Sequence, residues 1–160
     1  IFGEAVKKVL KKHKDWVVKI VGDEKRENIT FNHKNIDLLS ATEREIRISL
    51  NNNQDGLIIL CDNLNKKTNS KYILLKLQSE GVIINNYTKS KVPTDKLEAF
   101  NDNPIDVAGA GDSMLVTTSM ALAAGANIWE AAYIGSLASS IQVSRNGNIP
   151  LRKKDLMKYI

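Results

Sequence analysis

Apolar residues recur along this chain in two rhythms, and the rhythm changes repeatedly. Phe2, Val6, Val9 and Leu10 fall at helical spacing, which predicts an amphipathic helix over residues 2–14. Trp16-Val17-Val18-Lys19-Ile20-Val21 predicts a strand, and the polar, unpatterned stretch 22–35 a loop. Ile36-Asp37-Leu38-Leu39-Ser40 predicts a short buried strand. Thr42 followed three residues later by Glu45 has the form of a capping box, so a helix opens there; it runs to about Leu50, where Asn51-Asn52-Asn53 breaks it. A second helix runs from Asp55 to about Lys67 with Leu57, Leu60 and Leu64 inward. Tyr72–Leu77 and Val82–Tyr87 predict buried strands, and a further extended piece lies near 91–100. Helices follow at Met114–Ala124, at Ile128–Ser144 and from about Lys153. Strands alternating with helices predict an α/β fold with a largely parallel sheet.

One segment interrupts the patterning with chemistry. Asp106-Val107-Ala108-Gly109-Ala110-Gly111-Asp112-Ser113 carries two glycines one residue apart, then a carboxylate, then an apolar helix. Unbonded N–H groups at a helix N-terminus hold an anion, and the helix dipole adds partial positive charge there. Glycines 109 and 111 allow positive φ and close approach of a phosphate to the main chain. Asp112 then lies beside the anion, as transfer of phosphate to a hydroxyl requires. An ordinary turn capping a helix accounts for the same residues. A dinucleotide loop of the Gly-X-Gly-X-X-Gly form is disfavoured, because its third glycine would fall at Met114. No Gly-Lys-Ser/Thr follows, which excludes a Walker A loop.

Composition narrows the classes. A chain of 160 residues, 42% hydrophobic and 26% charged, is enough for one domain with its own core. No run approaches the ~18 apolar residues of a membrane span, and nothing reads as a signal peptide, so the cytoplasm is the expected compartment. The single cysteine, Cys61, excludes an internal disulfide and follows an apolar run, which predicts a buried structural thiol. The net charge of +5 is concentrated in Lys7, Lys8, Lys11, Lys12 and Lys14, and in Arg152, Lys153 and Lys154. Neither run is interleaved with aromatics, so solvated helix faces rather than a nucleic-acid surface are expected. His13 and His33 are isolated, and Asp23 is read as a loop carboxylate.

Asp106-Val107-Ala108-Gly109-Ala110-Gly111-Asp112, with Ala121-Leu122-Ala123-Ala124-Gly125-Ala126 and Val143-Ser144-Arg145-Asn146-Gly147 after it, resembles the C-terminal signature of ribokinase-like (PfkB-family) carbohydrate kinases. The family form is Asp-Thr-Thr-Gly-Ala-Gly-Asp, from which Val107 and Ala108 depart. Within the family the likeness is to the sugar kinases of the heptose-kinase type. It is strongest over 104–150 and extends back to about 36.

The resemblance implies a ribokinase-like α/β/α layered, mostly parallel sheet. It implies phosphorylation of a sugar or sugar phosphate hydroxyl by ATP with Mg²⁺; composition adds no nucleic-acid or membrane partner, and a homodimer stays open. Asp112 would be the general base, and Gly109, Ala110 and Gly111 the anion hole. Family members run to about twice this length, so the 160 residues are expected to be a single C-terminal, nucleotide-binding domain lacking the sugar-binding half.

Further positions follow from the same resemblance. Ser40 to Glu45 lies where the family shows Thr-Pro-Asn-X-X-Glu: Glu45 would organise Mg²⁺ through water, with Thr42 in place of Asn. The capping box is the other reading of the pair. Lys76 to Gly81 lies where the family shows Thr-Leu-Gly-X-X-Gly, so Leu77, Ser79 and Gly81 would line the nucleotide, with Lys76 and Gln78 as departures. A tight turn between two strands, with Gly81 at its corner, explains the segment equally. Ser136 and Gly147 would lie near the nucleotide; a helix C-cap at Asn146-Gly147 also accounts for the second. Two readings from other classes stay open: a non-catalytic nucleotide-binding or regulatory relative, and an assembly module pairing through a sheet edge.

Overall fold

The computed structural model of this chain describes Phe31, residues 34–147 and residues 149–159. The helix expected over 2–14, the strand over 16–21, and His13, Asp23 and His33 lie outside the described residues. The elements run β1 (Leu38–Thr42), α1 (Glu43–Leu50), α2 (Leu57–Thr68), β2 (Tyr72–Lys76), β3 (Val82–Asn86), β4 (Thr94–Leu97), α3 (Ala110–Ala123), α4 (Ile128–Val143) and a short α5 (Lys153–Leu156). A single turn of 3₁₀ helix, Gln78–Glu80, joins β2 to β3.

The four strands form one sheet in the order β1-β2-β3-β4. β1 and β2 are parallel, while β2–β3 and β3–β4 are antiparallel. The sheet is therefore mixed, which corrects the expectation of a largely parallel one. The reason is local: only Leu77 to Gly81 separates β2 from β3, too short for a parallel crossover, which needs a dozen or more residues.

The continuous apolar runs of β1 and β2 are explained by two covered faces. Leu39, Ala41, Ile73 and Leu75 pack against Ile46 of α1 and Leu60, Cys61 and Leu64 of α2. Leu38, Leu74, Val82 and Ile84 pack on the other face against Met114 of α3 and Ile128 and Ala132 of α4. Adjacent residues point to opposite faces of a pleated strand, so both faces of these strands must be apolar. The result is the expected three-layer α/β/α arrangement.

Asparagine ends two of the helices. Asn51 (φ 49°) and Asn69 (φ 49°) adopt the left-handed conformation that closes α1 and α2. Across the sheet, α3 and α4 cross closely because Gly135 carries no side chain where Thr118 approaches. Among the described residues no helix is long and apolar enough to cross a membrane.

Candidate functional site

The C-terminal ends of β1 and β2 lie side by side, with Thr42 opposite Lys76 in the parallel register. Open α/β sheets bind ligands at that edge, and a cleft of about 930 Å³ opens there. Thr42, Arg44, Arg47, Lys76, Leu77 and Ser79 are among its lining residues. Of the residues singled out by sequence, the cleft gathers Thr42, Leu77 and Ser79.

Thr42 and Glu45 form the capping box. The Glu45 amide donates to Thr42 Oγ1 at 3.2 Å, and the Thr42 amide donates to Glu45 Oε2 at 2.6 Å. One carboxylate oxygen of Glu45 is thereby committed to the start of α1. Glu43 lines the cleft with its Oε1 held by Arg47 Nε at 2.7 Å. Among the described residues no group of three or more His, Cys, Asp or Glu side chains converges as a metal cage. That donor set fits Mg²⁺ only in its usual nucleotide-borne form, where one or two carboxylates supplement water and phosphate oxygens. The second oxygen of Glu45 has no hydrogen-bond partner among the described residues, and Glu45 is not among the residues lining the cleft.

The segment after β2 is a closed turn. The Leu77 amide donates to the Gly81 carbonyl at 2.8 Å and the Glu80 amide to the Leu77 carbonyl at 3.1 Å. Gln78 keeps a left-handed φ of 57°. Gly81 (φ 91°) forms the corner: a Cβ there would collide with the Leu97 carbonyl and stand 2.8 Å from the Ala99 amide. Gly81 is required by the backbone of β4, and it does not line the cleft.

Opposite this edge, Gly109 (φ 76°) turns the chain into α3. The Ser113 amide enters the helical ladder by donating to the Gly109 carbonyl at 2.9 Å, and the Ala110 amide closes a turn on the Val107 carbonyl at 3.3 Å. Among the described residues the amides of Gly111 and Asp112 have no acceptor, and no side chain caps the helix. Asp112 is exposed on this first turn. Two unbonded amides and a carboxylate are thus presented at the positive end of a 14-residue helix. Gly109 shapes the turn, while Gly111 contributes a free amide.

A buried polar network holds this loop to the end of α4, and sequence reading missed it. The amides of Ile105 and Asp106 both donate to the Val143 carbonyl, at 2.7 and 3.2 Å. Gln142, 1% exposed, donates from Nε2 to the carbonyls of Ala108 (3.4 Å) and Gly147 (3.2 Å) and accepts from Arg145 Nη2 at 2.8 Å. Asp106 accepts from the amides of Ala108 and Gly147, both at 2.9 Å, and these bonds hold its carboxyl below the usual carboxylate value. A glutamine near the end of a largely apolar helix, next to Ile141, was the available signal for this network.

Gly147 therefore serves the network and lies beyond the cap of α4, which ends at Val143 with Ser144 as its C-cap; this corrects the expected C-cap at Asn146-Gly147. Ser136, 6% exposed on α4, has a hydroxyl with no partner among the described residues and does not line the cleft. Cys61 is fully buried, and burial pushes its thiol up to about 12.

Comparison with known proteins places these features in a family context. A family model described as pfkB family carbohydrate kinase matches residues 2–154. The bifunctional protein HldE of Campylobacter curvus is 30% identical over 120 residues, which are 72% of this chain and 24% of that protein. Among solved structures, the ribokinase of Thermotoga maritima superimposes with a TM-score of 0.65 at 25% identity, covering 76% of this chain and 41% of that one. The ribokinase of Arabidopsis thaliana, complexed with ribose and ATP, gives 0.65 at 23% identity, over 77% of this chain and 40% of that one. The chain thus spans about a quarter of the first and two fifths of the others.

Proposed function

This chain belongs to the pfkB family of carbohydrate kinases, and from that premise we propose that it supplies the phosphate-donor side of transfer from ATP to a sugar hydroxyl. The observation that carries the reading is the first turn of α3, where the unbonded amides of Gly111 and Asp112 flank an exposed carboxylate. In the reaction, the sugar hydroxyl oxygen forms a bond to the γ-phosphorus. The bond from that phosphorus to the β–γ bridging oxygen breaks, and its electron pair leaves with ADP. The hydroxyl proton passes to the Asp112 carboxylate. The two amides stabilise charge on the transferred group as it moves.

Magnesium, bound with the nucleotide, would neutralise phosphate charge and meet this chain at the second oxygen of Glu45 through water. The cleft beside Thr42, Leu77 and Ser79 is the proposed seat of the nucleotide. The sugar contacts are assigned to a part of the kinase not contained in these residues, and a heptose-type sugar phosphate is the first candidate acceptor. Family membership and the likeness to HldE support this choice.

The test is turnover of MgATP by the full-length protein against a sugar panel, with Asp112→Asn alongside. Loss of the base should reduce turnover by about 10²- to 10⁴-fold. Because Asp112 makes no capping bond, the melting temperature and nucleotide affinity should hardly change. Wild-type turnover in Asp112→Asn would remove Asp112 from the role of base.

A further inference from the structure

Lys76 reaches the same helix end from the opposite side. Its backbone closes β2, in register with Thr42 on β1 and Val82 on β3. Its ammonium Nζ stands 3.1 Å from the position a Cβ on Gly111 would occupy, with Cδ at 3.9 Å. A side chain on Gly111 would make the end of the lysine shift by a few tenths of an ångström. Among the described residues Nζ has neither a hydrogen bond nor an ion pair, although every carboxylate of the cleft lies on neighbouring elements.

A cation aimed at the N-terminus of a helix meets the positive end of the dipole, which is unfavourable by itself. The amides of Gly111 and Asp112 on that turn are also donors without acceptors among the described residues. Three donors of positive character therefore lie at one helix end, none with a hydrogen-bond acceptor among the described residues. An anion placed among them satisfies all three and turns the repulsion into attraction. Lys76 also lines the cleft, so it connects the nucleotide's proposed seat to the turn that carries Asp112.

We propose that Lys76 is a phosphate-binding residue of this site, its ammonium taking the terminal phosphate of a nucleoside triphosphate against the amides of Gly111 and Asp112. The proposal rests on the kinase reading above and adds a cation that the family pattern, with Thr at this position, does not supply. It makes the chain a reader of phosphate charge at the transferred group. Affinity should then climb from adenosine through ADP to ATP more steeply than backbone amides alone provide.

The experiment titrates the full-length protein with ATP, ADP and adenosine by calorimetry at low and high salt, using wild type, Lys76→Met and Lys76→Arg. Sugar-dependent turnover is measured on the same samples. Loss of one charge-assisted contact should weaken ATP by roughly ten-fold or more in Lys76→Met, while adenosine binds as before and the salt dependence of ATP binding falls. Lys76→Arg should recover most of the ATP affinity, which a purely packing role would not predict. If Lys76→Met does not fold, Lys76→Thr carries the same expectation.

Unchanged ATP affinity and salt dependence in Lys76→Met would overturn the proposal while wild-type turnover left the kinase reading standing. ATP binding without sugar turnover by the wild type would sink the kinase reading, and the comparison of variants would still decide Lys76. A wild type that binds no ATP would overturn both.

Discussion

Gly135 of α4 leaves no room for a side chain against Thr118 of α3: a Cβ on Gly135 would collide with the Thr118 hydroxyl oxygen and stand 3.0 Å from the Met114 carbonyl. The contact sets the separation of the two helices, and Met114 lies two residues beyond Asp112 on the same helix. Gly135→Ala should therefore destabilise the protein by about 1–3 kcal/mol, the usual cost of overpacking, and lower the melting temperature by roughly 2–4 °C per kcal/mol. It should also displace the first turn of α3 and reduce turnover. Thr118→Ala in the same chain should restore part of both losses, because the two residues share one contact. Additive effects in thermal melts of the single and double variants would show that the crossing is not set there.

Gln78 occupies a left-handed position, at φ 57°, that the family pattern fills with glycine. A side chain there costs about 1–2 kcal/mol, of which a glycine recovers only part, because its greater freedom in the unfolded chain is lost on folding. Gln78→Gly should raise stability by about 0.5–1 kcal/mol, read from urea midpoints at unchanged slope. Gly81→Ala, four residues' width of turn away from β2's end, should do the opposite and strongly, since its Cβ meets backbone and has no flexible side chain to push aside. A destabilised Gln78→Gly would mean that the glutamine side chain holds the turn in a way its exposed position does not suggest.

Glu45 has two proposed duties that different substitutions separate. Its Oε2 accepts from the Thr42 amide at 2.6 Å, a bond an amide oxygen can also accept. Glu45→Gln should keep α1 capped and melt within about 0.5 kcal/mol of wild type, yet raise the Mg²⁺ concentration needed for half-maximal turnover. Glu45→Ala should lose the cap as well, at about 1 kcal/mol. Magnesium titrations of turnover, set beside melting curves, check both. An unchanged magnesium requirement in Glu45→Gln would leave this residue with capping alone.

Asp106 is held below its ordinary carboxylate value of 3.8 by the amides of Ala108 first and Gly147 second. A depressed folded pKa means the ionised group stabilises the native state above pH 3.8, and that contribution disappears as the pH falls through the depressed value. Stability should rise with pH across that acidic window. Asp106→Asn should flatten the rise and loosen the 105–108 loop and the 145–147 turn already at neutral pH. Asp155, held down mainly by its bond to Arg152, acts with the same sign, so the comparison of the two chains isolates the Asp106 part. Acid melting series of wild type and Asp106→Asn measure it; identical slopes would contradict the assignment.

How much of this was legible in sequence differs by the range of the interaction. The capping box at Thr42 and Glu45, the end of α1 at Asn51 and the glycine turn into α3 are local, and local chemistry writes them directly into the chain. Strand direction was also within reach, since the five residues between β2 and β3 already forbade a crossover. The approach of Lys76 to Gly111 was not, because 34 intervening residues fold before the two meet and neither residue type announces the other. Gln142 sits between these cases. Its burial contradicts its polarity, so a partner was implied, but not that the partners would be the carbonyls of Ala108 and Gly147.

Cys61 gives the remaining prediction because it is the chain's only thiol and is completely buried between α2 and the sheet. Burial chiefly, and the neighbouring Asp62 charge next, push it up to about 12 against a weaker opposing bond to Asn85. The thiolate is the reactive form, and on the order of one molecule in 10⁴ would carry it at pH 8. Native protein should therefore resist iodoacetamide and aromatic disulfide reagents at that pH, and one equivalent should react in denaturant. Because the site is dry as well as protonated, native labelling has to wait for α2 to lift from the sheet, so its rate reports the free energy of that local opening. Leu64→Ala, which removes a fully buried neighbour from the same layer, should accelerate labelling. Rapid stoichiometric labelling of the folded wild type would show that this face of the sheet is not closed by α2.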